Sequence, residues 1–149
     1  MSQSLVKIYL HIIFSTKNRE ELLPKAYLNE IHSYIAGVIK NNGCVPITVG
    51  GTSNHVHLLC EMSSNITVAE LLRLTKASTS KWVKEKYGEN DFAWQGGYAA
   101  LSVSQSNADA VSHYISNQEQ HHRKLSFKDE FLGFLKKYKI NYNEEYLWT

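Results

Sequence analysis

The chain has 149 residues, 43% of them hydrophobic and 20% charged, with 16 Lys+Arg against 14 Asp+Glu. That length suits one domain, residues 1–149, able to bury its own core, and the composition excludes a disordered, collagenous or coiled-coil chain. A net charge of +2 neither demands nor excludes a nucleic-acid partner, because a local patch outweighs the sum.

The segment 5–14 (LVKIYLHIIF) is rich in β-branched and aromatic residues and predicts a mostly buried first strand. A polar stretch, Ser15 to Arg19, follows. Pro24 stands where a first helical turn tolerates proline, and Leu28, Ile31, Ile35, Val38 and Ile39 recur at helical spacing up to Asn41-Asn42-Gly43. Residues 45–49 and 55–62 predict a hairpin, with Gly50-Gly51 as its turn signal. Thr67 is a candidate cap for a second helix reaching Tyr87, with Glu70 as its box partner and Gly88 as its stop. Residues 98–104 predict a fourth strand, and Asn107 a cap for a helix carrying Val111, Tyr114, Ile115, Gln118 and His122 along one side. A last helix over 127–138 precedes an aromatic tail with Tyr142, Tyr146 and Trp148. The order β-α-β-β-α-β followed by helices predicts an α+β, ferredoxin-like antiparallel sheet.

Cys44 and Cys60 show neither metal spacing nor a disulfide framework, which predicts a reducing, cytoplasmic setting. No stretch reads as a secretory signal, and no apolar run approaches the ~20 residues of a membrane span. Gly50-Gly51 and Gly96-Gly97 are isolated pairs rather than a phosphate-cradling loop, so no nucleotide cofactor is expected.

Two constellations can carry chemistry. In a strand, His55 and His57 share one face while Val56, Leu58 and Cys60 share the other, so the two imidazoles can chelate one ion or simply face solvent. Tyr114 and Gln118 lie one helical turn apart: a phenol can serve as nucleophile and an amide oxygen as a neutral metal ligand, or both can be ordinary helix-surface residues. His113, His121, His122 and Arg123 around them read as a basic, solvent-facing helix end.

Taken together, His55-Val56-His57 as an HUH motif (U being hydrophobic) and Tyr114 to Gln118 as Y-x-x-x-Q resemble the single-tyrosine HUH transposases of the insertion sequence 200/605 group, which include the REP-associated tyrosine transposases. Ser15 to Arg19, Trp94 to Tyr98, Ser102 to Ser104, Gln120 to Arg123 and Tyr146 to Trp148 are similar to that family too, so the resemblance spans roughly residues 5–148. One departure is Asn54, where the family often carries an Asp before the first histidine.

The resemblance implies a DNA transposase that cleaves and rejoins single-stranded DNA at hairpin-marked ends through a covalent 5′-phosphotyrosine. Tyr114 maps onto the nucleophile, and His55, His57 and Gln118 onto the ligands of Mg²⁺ or Mn²⁺. It also implies a homodimer in which the tyrosine helix can complete the partner's site. Single-stranded DNA needs cations for phosphates and aromatic faces for bases. Lys17, Arg19, Lys76 and Lys81 are candidates for the first, Trp94 and Tyr98 for the second. Two rival readings are a domesticated, non-catalytic binder of hairpin DNA or RNA, and a metal-dependent phosphodiesterase that uses water as nucleophile.

Overall fold

A computed structural model describes residues 2–149. Its strands are β1 (Tyr9–Ser15), β2 (Val45–Thr52), β3 (His55–Glu61) and β4 (Ala99–Val103). Its α-helices are α1 (Leu28–Asn41), α2 (Val68–Tyr87), α3 (Ala108–Ser116), α4 (Gln118–His121) and α5 (Phe127–Lys137). The sheet order is β2-β3-β1-β4 with every pairing antiparallel, which is the ferredoxin-like α+β arrangement. Among the described residues, no helix is long and apolar enough to cross a membrane.

The sheet separates two apolar clusters because strand residues alternate between faces. Ile12, Phe14, Val56, Leu58 and Cys60 point to the face packed with Ile31, Ile35 and Ile39 of α1 and Leu71, Leu72 and Val83 of α2. Ile13, Ala99 and Leu101 point the other way, against Phe127, Phe131 and Leu135 of α5 and Trp148. The second cluster is smaller and lies on the histidine side of the sheet.

Several boundaries differ from the sequence reading for local reasons. β1 starts at Tyr9, because its neighbours run out there: Tyr9 pairs with Glu61 and Val103, and Leu5 is left 83% exposed. Pro24 opens a short 3₁₀ turn, Lys25–Tyr27, and α1 begins only at Leu28. Thr67 accepts a hydrogen bond from the Glu70 backbone, and Gly88 ends α2 in the left-handed region at φ 68°. Asn107 makes no side-chain cap; a 3₁₀ turn, Gln105–Asn107, feeds α3 instead.

The hairpin turn is not Gly50-Gly51 but Ser53-Asn54, and the glycines belong to β2. A Cβ on Gly50 would lie 2.3 Å from the Ile115 carbonyl oxygen. Gly51, at φ 143°, would put one 2.2 Å from the His55 carbonyl oxygen. The missing side chain at Gly50 lets the C-terminal turn of α3 dock directly on the sheet. Gly50 pairs with His57, so that docking sets Tyr114, the residue before Ile115, beside the histidines.

Candidate active site and metal centre

His55 and His57 sit on the central strand β3, both fully buried rather than facing solvent. Three elements cover them. From α3, the Tyr114 ring lies edge-on to His57 with centroids 5.9 Å apart. From α4, Gln118 Oε1 lies 3.0 Å from His55 Nε2. From α5, Glu130 Oε1 lies 2.9 Å from His57 Nε2.

Tyr114 and Gln118 do not share one continuous helix. The backbone leaves helical geometry at Asn117 (φ −105°, ψ 23°) and restarts as α4. Both side chains nevertheless reach Glu130: the Tyr114 hydroxyl donates to Oε2, and Gln118 Nε2 donates to the same oxygen at 3.2 Å. The expected solvent-facing helix end is also different. His122 turns inward, with Nε2 2.9 Å from Gln118 Oε1 and 3.2 Å from Glu130 Oε1. His121 Nε2 lies 3.1 Å from the Tyr114 hydroxyl, while His113 stays exposed beside Asn117.

His55, His57, His122 and Glu130 each offer a ligand atom, and those atoms all lie within 4.8 Å of one another. The hydrogen-bond partners decide whether the group suits a cation. Asn54 Nδ2 donates to the Arg19 carbonyl, so its Oδ1 is free to accept from His55 Nδ1 at 2.7 Å. That leaves His55 Nε2 unprotonated in the neutral ring. His122 Nδ1 lies 2.6 Å from the Leu125 carbonyl and must donate to it, so in the neutral ring its Nε2 is unprotonated as well. Both bare nitrogens face Gln118 Oε1, itself an acceptor. Lone pairs therefore converge on a buried spot short of donors, which is the environment a divalent cation satisfies. The residues fit a metal, and Asn54 keeps the orienting role that the family's Asp would have.

Charges follow the same geometry. Burial pushes His55 and His57 below the ordinary histidine range, each also disfavoured by neighbouring imidazoles, and so keeps them neutral and able to ligate. Burial opposes charge on Glu130, but the His122 and His57 rings against it outweigh that cost and hold the carboxyl well below the usual carboxylate range. Burial, reinforced by Glu130, raises the Tyr114 phenol. A cavity of about 800 Å³, lined in part by Asn54, Gln118, His122 and Phe127, borders the donor group at His122.

The sequence reading missed Glu130, His122 and His11. Glu130 carried a signal: it interrupts the apolar stripe Phe127, Phe131 and Leu135 at helical spacing, where a carboxylate needs a reason to be buried.

The candidate DNA contacts scatter. Lys17, Lys81 and Tyr98 are exposed. Arg19 stacks its guanidinium over the Trp148 indole at 4.6 Å. Lys76 donates to the Gln95 and Gly97 carbonyls, and burial lowers its pKa to about 8. Trp94 packs edge-on to Phe14 and Phe92, with centroids 4.8 Å apart in both pairs. Lys76 and Trp94 thus hold the 94–97 loop in place rather than present a free ammonium or a bare ring face.

An antiparallel ferredoxin-like sheet bearing a buried histidine pair under a tyrosine helix is the frame of a tyrosine transposase. Residues 4–118 match the family described as "Transposase IS200 like", and the chain belongs to that family. It is therefore a transposase, an enzyme that cuts DNA. The ISDra2 transposase TnpA of Deinococcus radiodurans is 24% identical over 116 residues, covering 72% of this chain and 81% of the relative. A crystal structure of a candidate transposase from Deinococcus radiodurans R1 superposes with a TM-score of 0.61 at 19% identity, covering 79% of this chain and 98% of that one. A REP-associated tyrosine transposase bound to a REP hairpin superposes at 0.57 with 13% identity, covering 82% and 74%. His122 and Glu130 lie beyond the stretch matched by the family.

Proposed function

We propose that the protein cleaves and rejoins single-stranded DNA at hairpin-marked ends through a 5′-phosphotyrosine on Tyr114. The observation that carries this reading is the shared carboxylate: Glu130 contacts the phenol with one oxygen and the metal-suited histidines with the other. A nucleophile and a phosphate-polarising group thus meet in one chain. A divalent ion bound by His55, His57, His122 and Glu130, with Gln118 Oε1 beside them, would supply charge neutralisation for the scissile phosphate and the departing oxygen. Three imidazoles favour Mn²⁺ over Mg²⁺, which prefers oxygen ligands.

The chain's own groups do the rest. Tyr114 supplies the attacking oxygen, and the covalent link conserves the energy of the broken bond, so a 3′-hydroxyl can rejoin the strand without a nucleotide cofactor. His11, behind His57, orients that ring. The Gln118 and His122 side of the cavity gives a strand its route inward, while Lys17, Arg19, Lys81 and Tyr98 are candidates to hold its flanks. The hairpin-bound relative supports hairpin ends as substrate, and a cytoplasmic setting suits that substrate.

The test is incubation with Mn²⁺ and a pool of single-stranded hairpin oligonucleotides, followed by a denaturing gel. Wild type is expected to give a shifted covalent species that Tyr114→Phe lacks while still binding the hairpin. An unchanged adduct in Tyr114→Phe would move the nucleophile elsewhere, and turnover without any adduct would make water the attacker.

The resemblance to dimeric relatives supports a homodimer, in which each protomer would keep a complete site, since Tyr114 lies against its own His57. Mixing Tyr114→Phe with His57→Ala chains is then expected to restore no adduct. Restoration would mean that the tyrosine helix is exchanged between protomers.

A further inference from the structure

Glu130 presents its two oxygens to different neighbours. Oε1 faces His57 Nε2 at 2.9 Å and His122 Nε2 at 3.2 Å, on the side of the metal-suited group. Oε2 accepts from the Tyr114 hydroxyl and from Gln118 Nε2. We infer that Glu130 is a catalytic residue whose Oε2 takes the phenolic proton as Tyr114 attacks phosphorus, while Oε1 stays with the cation's ligands. The inference rests on the phosphotyrosine reading above.

A phenol with an ordinary pKa near 10 is almost wholly protonated at neutral pH, so attack requires its proton to leave. Glu130 is 3% exposed, and its Oε2 is already hydrogen-bonded to the hydroxyl. The other polar group on that hydroxyl is His121, whose Nε2 lies 3.1 Å from the phenolic oxygen and 3.3 Å from Oε2. The His121 side chain is 32% exposed, so one ring separates the carboxylate from solvent.

The step balances without an added reactant other than water. The bond from the Tyr114 oxygen to phosphorus forms as the bond from phosphorus to the 3′-oxygen breaks. The phenolic proton passes to Glu130, and the departing oxygen takes a proton from water to become a 3′-hydroxyl. On rejoining, the 3′-hydroxyl loses its proton to water and Glu130 returns the phenolic proton to the leaving tyrosine.

The experiment compares wild type and Glu130→Gln, each carrying either tyrosine or a ring-fluorinated, more acidic tyrosine at position 114. Calorimetry first fixes an Mn²⁺ concentration that saturates both. Glu130→Gln is expected to form the adduct about 10²–10⁴-fold more slowly, with fluorination recovering most of the loss and changing wild type little. A wild-type rate in Glu130→Gln, or a loss that fluorination leaves intact, overturns the proton-accepting role. Should Glu130→Gln fail to fold or to bind Mn²⁺, wild-type adduct formation in D₂O decides: a slower rate supports the inference and an equal rate overturns it. Wild type that forms no adduct overturns the phosphotyrosine reading and this role with it, a result distinct from equal rates in the two chains.

Discussion

His11 Nε2 lies 2.8 Å from His57 Nδ1, both rings buried, with their centroids 5.0 Å apart. Burial, with His57 beside it, lowers His11 to about 3, so it stays neutral and can accept the His57 Nδ1 proton. With a cation on His57 Nε2, the ring's proton would sit on Nδ1 and His11 would accept it. His11→Leu is expected to weaken Mn²⁺ binding about 10–100-fold by calorimetry, while His11→Gln, which retains an acceptor, recovers much of it. Equal affinities in all three chains would reduce the pair to packing.

Cation binding should also appear in stability. The donors come from β3, from α5 and from His122 just after α4, so a bound ion ties the sheet to the helices above it. Mn²⁺ at 100 times its Kd is expected to add about 2.7 kcal/mol, seen as a raised Tm that EDTA reverses. In Glu130→Ala the increment should shrink even though the chain folds.

Gly50 should tolerate no side chain. A Cβ there meets backbone, the Ile115 carbonyl oxygen at 2.3 Å, which a rotamer change cannot relieve. Gly50→Ala is expected to cost about 1–3 kcal/mol in urea unfolding, and to slow adduct formation further because Tyr114 moves with Ile115. Gly37, in α1 with nothing within 4 Å of an added Cβ, is the control: Gly37→Ala should stabilise by about 0.5–1 kcal/mol.

His32 gives the chain an acid sensitivity of its own. Burial lowers it from 6.5 to about 4, and its Nε2 has no hydrogen-bond partner. Between those values the unfolded chain holds the extra proton, so stability is full above about 6.5 and is lost as pH falls toward about 4. The loss is at most about 3 kcal/mol. Urea midpoints followed across that window should fall with acid, and His32→Phe should flatten part of the slope.

How far the sequence reveals this protein differs between its halves. The strands were legible because alternation on β3 puts Val56 and Leu58 on one face and His55 and His57 on the other, whatever packs above them. The family motifs then singled out Tyr114 and Gln118. The burial of the histidines was not legible, because it depends on α5 folding back over the sheet from some 70 residues away. Glu130 and His122 follow from that return, since a carboxylate in a helix stripe gains its meaning only from what the stripe covers. Gly50-Gly51 misled for a related reason: glycine marks a turn or a close approach equally well, and α3 decides which.

The separate apolar clusters on the two sides of the sheet have a consequence for how the protein tolerates change. Damage beneath α1 and α2 would act on the site only through the strand that Val56 and Leu58 share with the histidines. Damage around Phe127, Phe131 and Trp148 would also disturb the helix that covers His55 and His57. A library selected for survival and one selected for transposase activity would therefore draw different maps on the same chain.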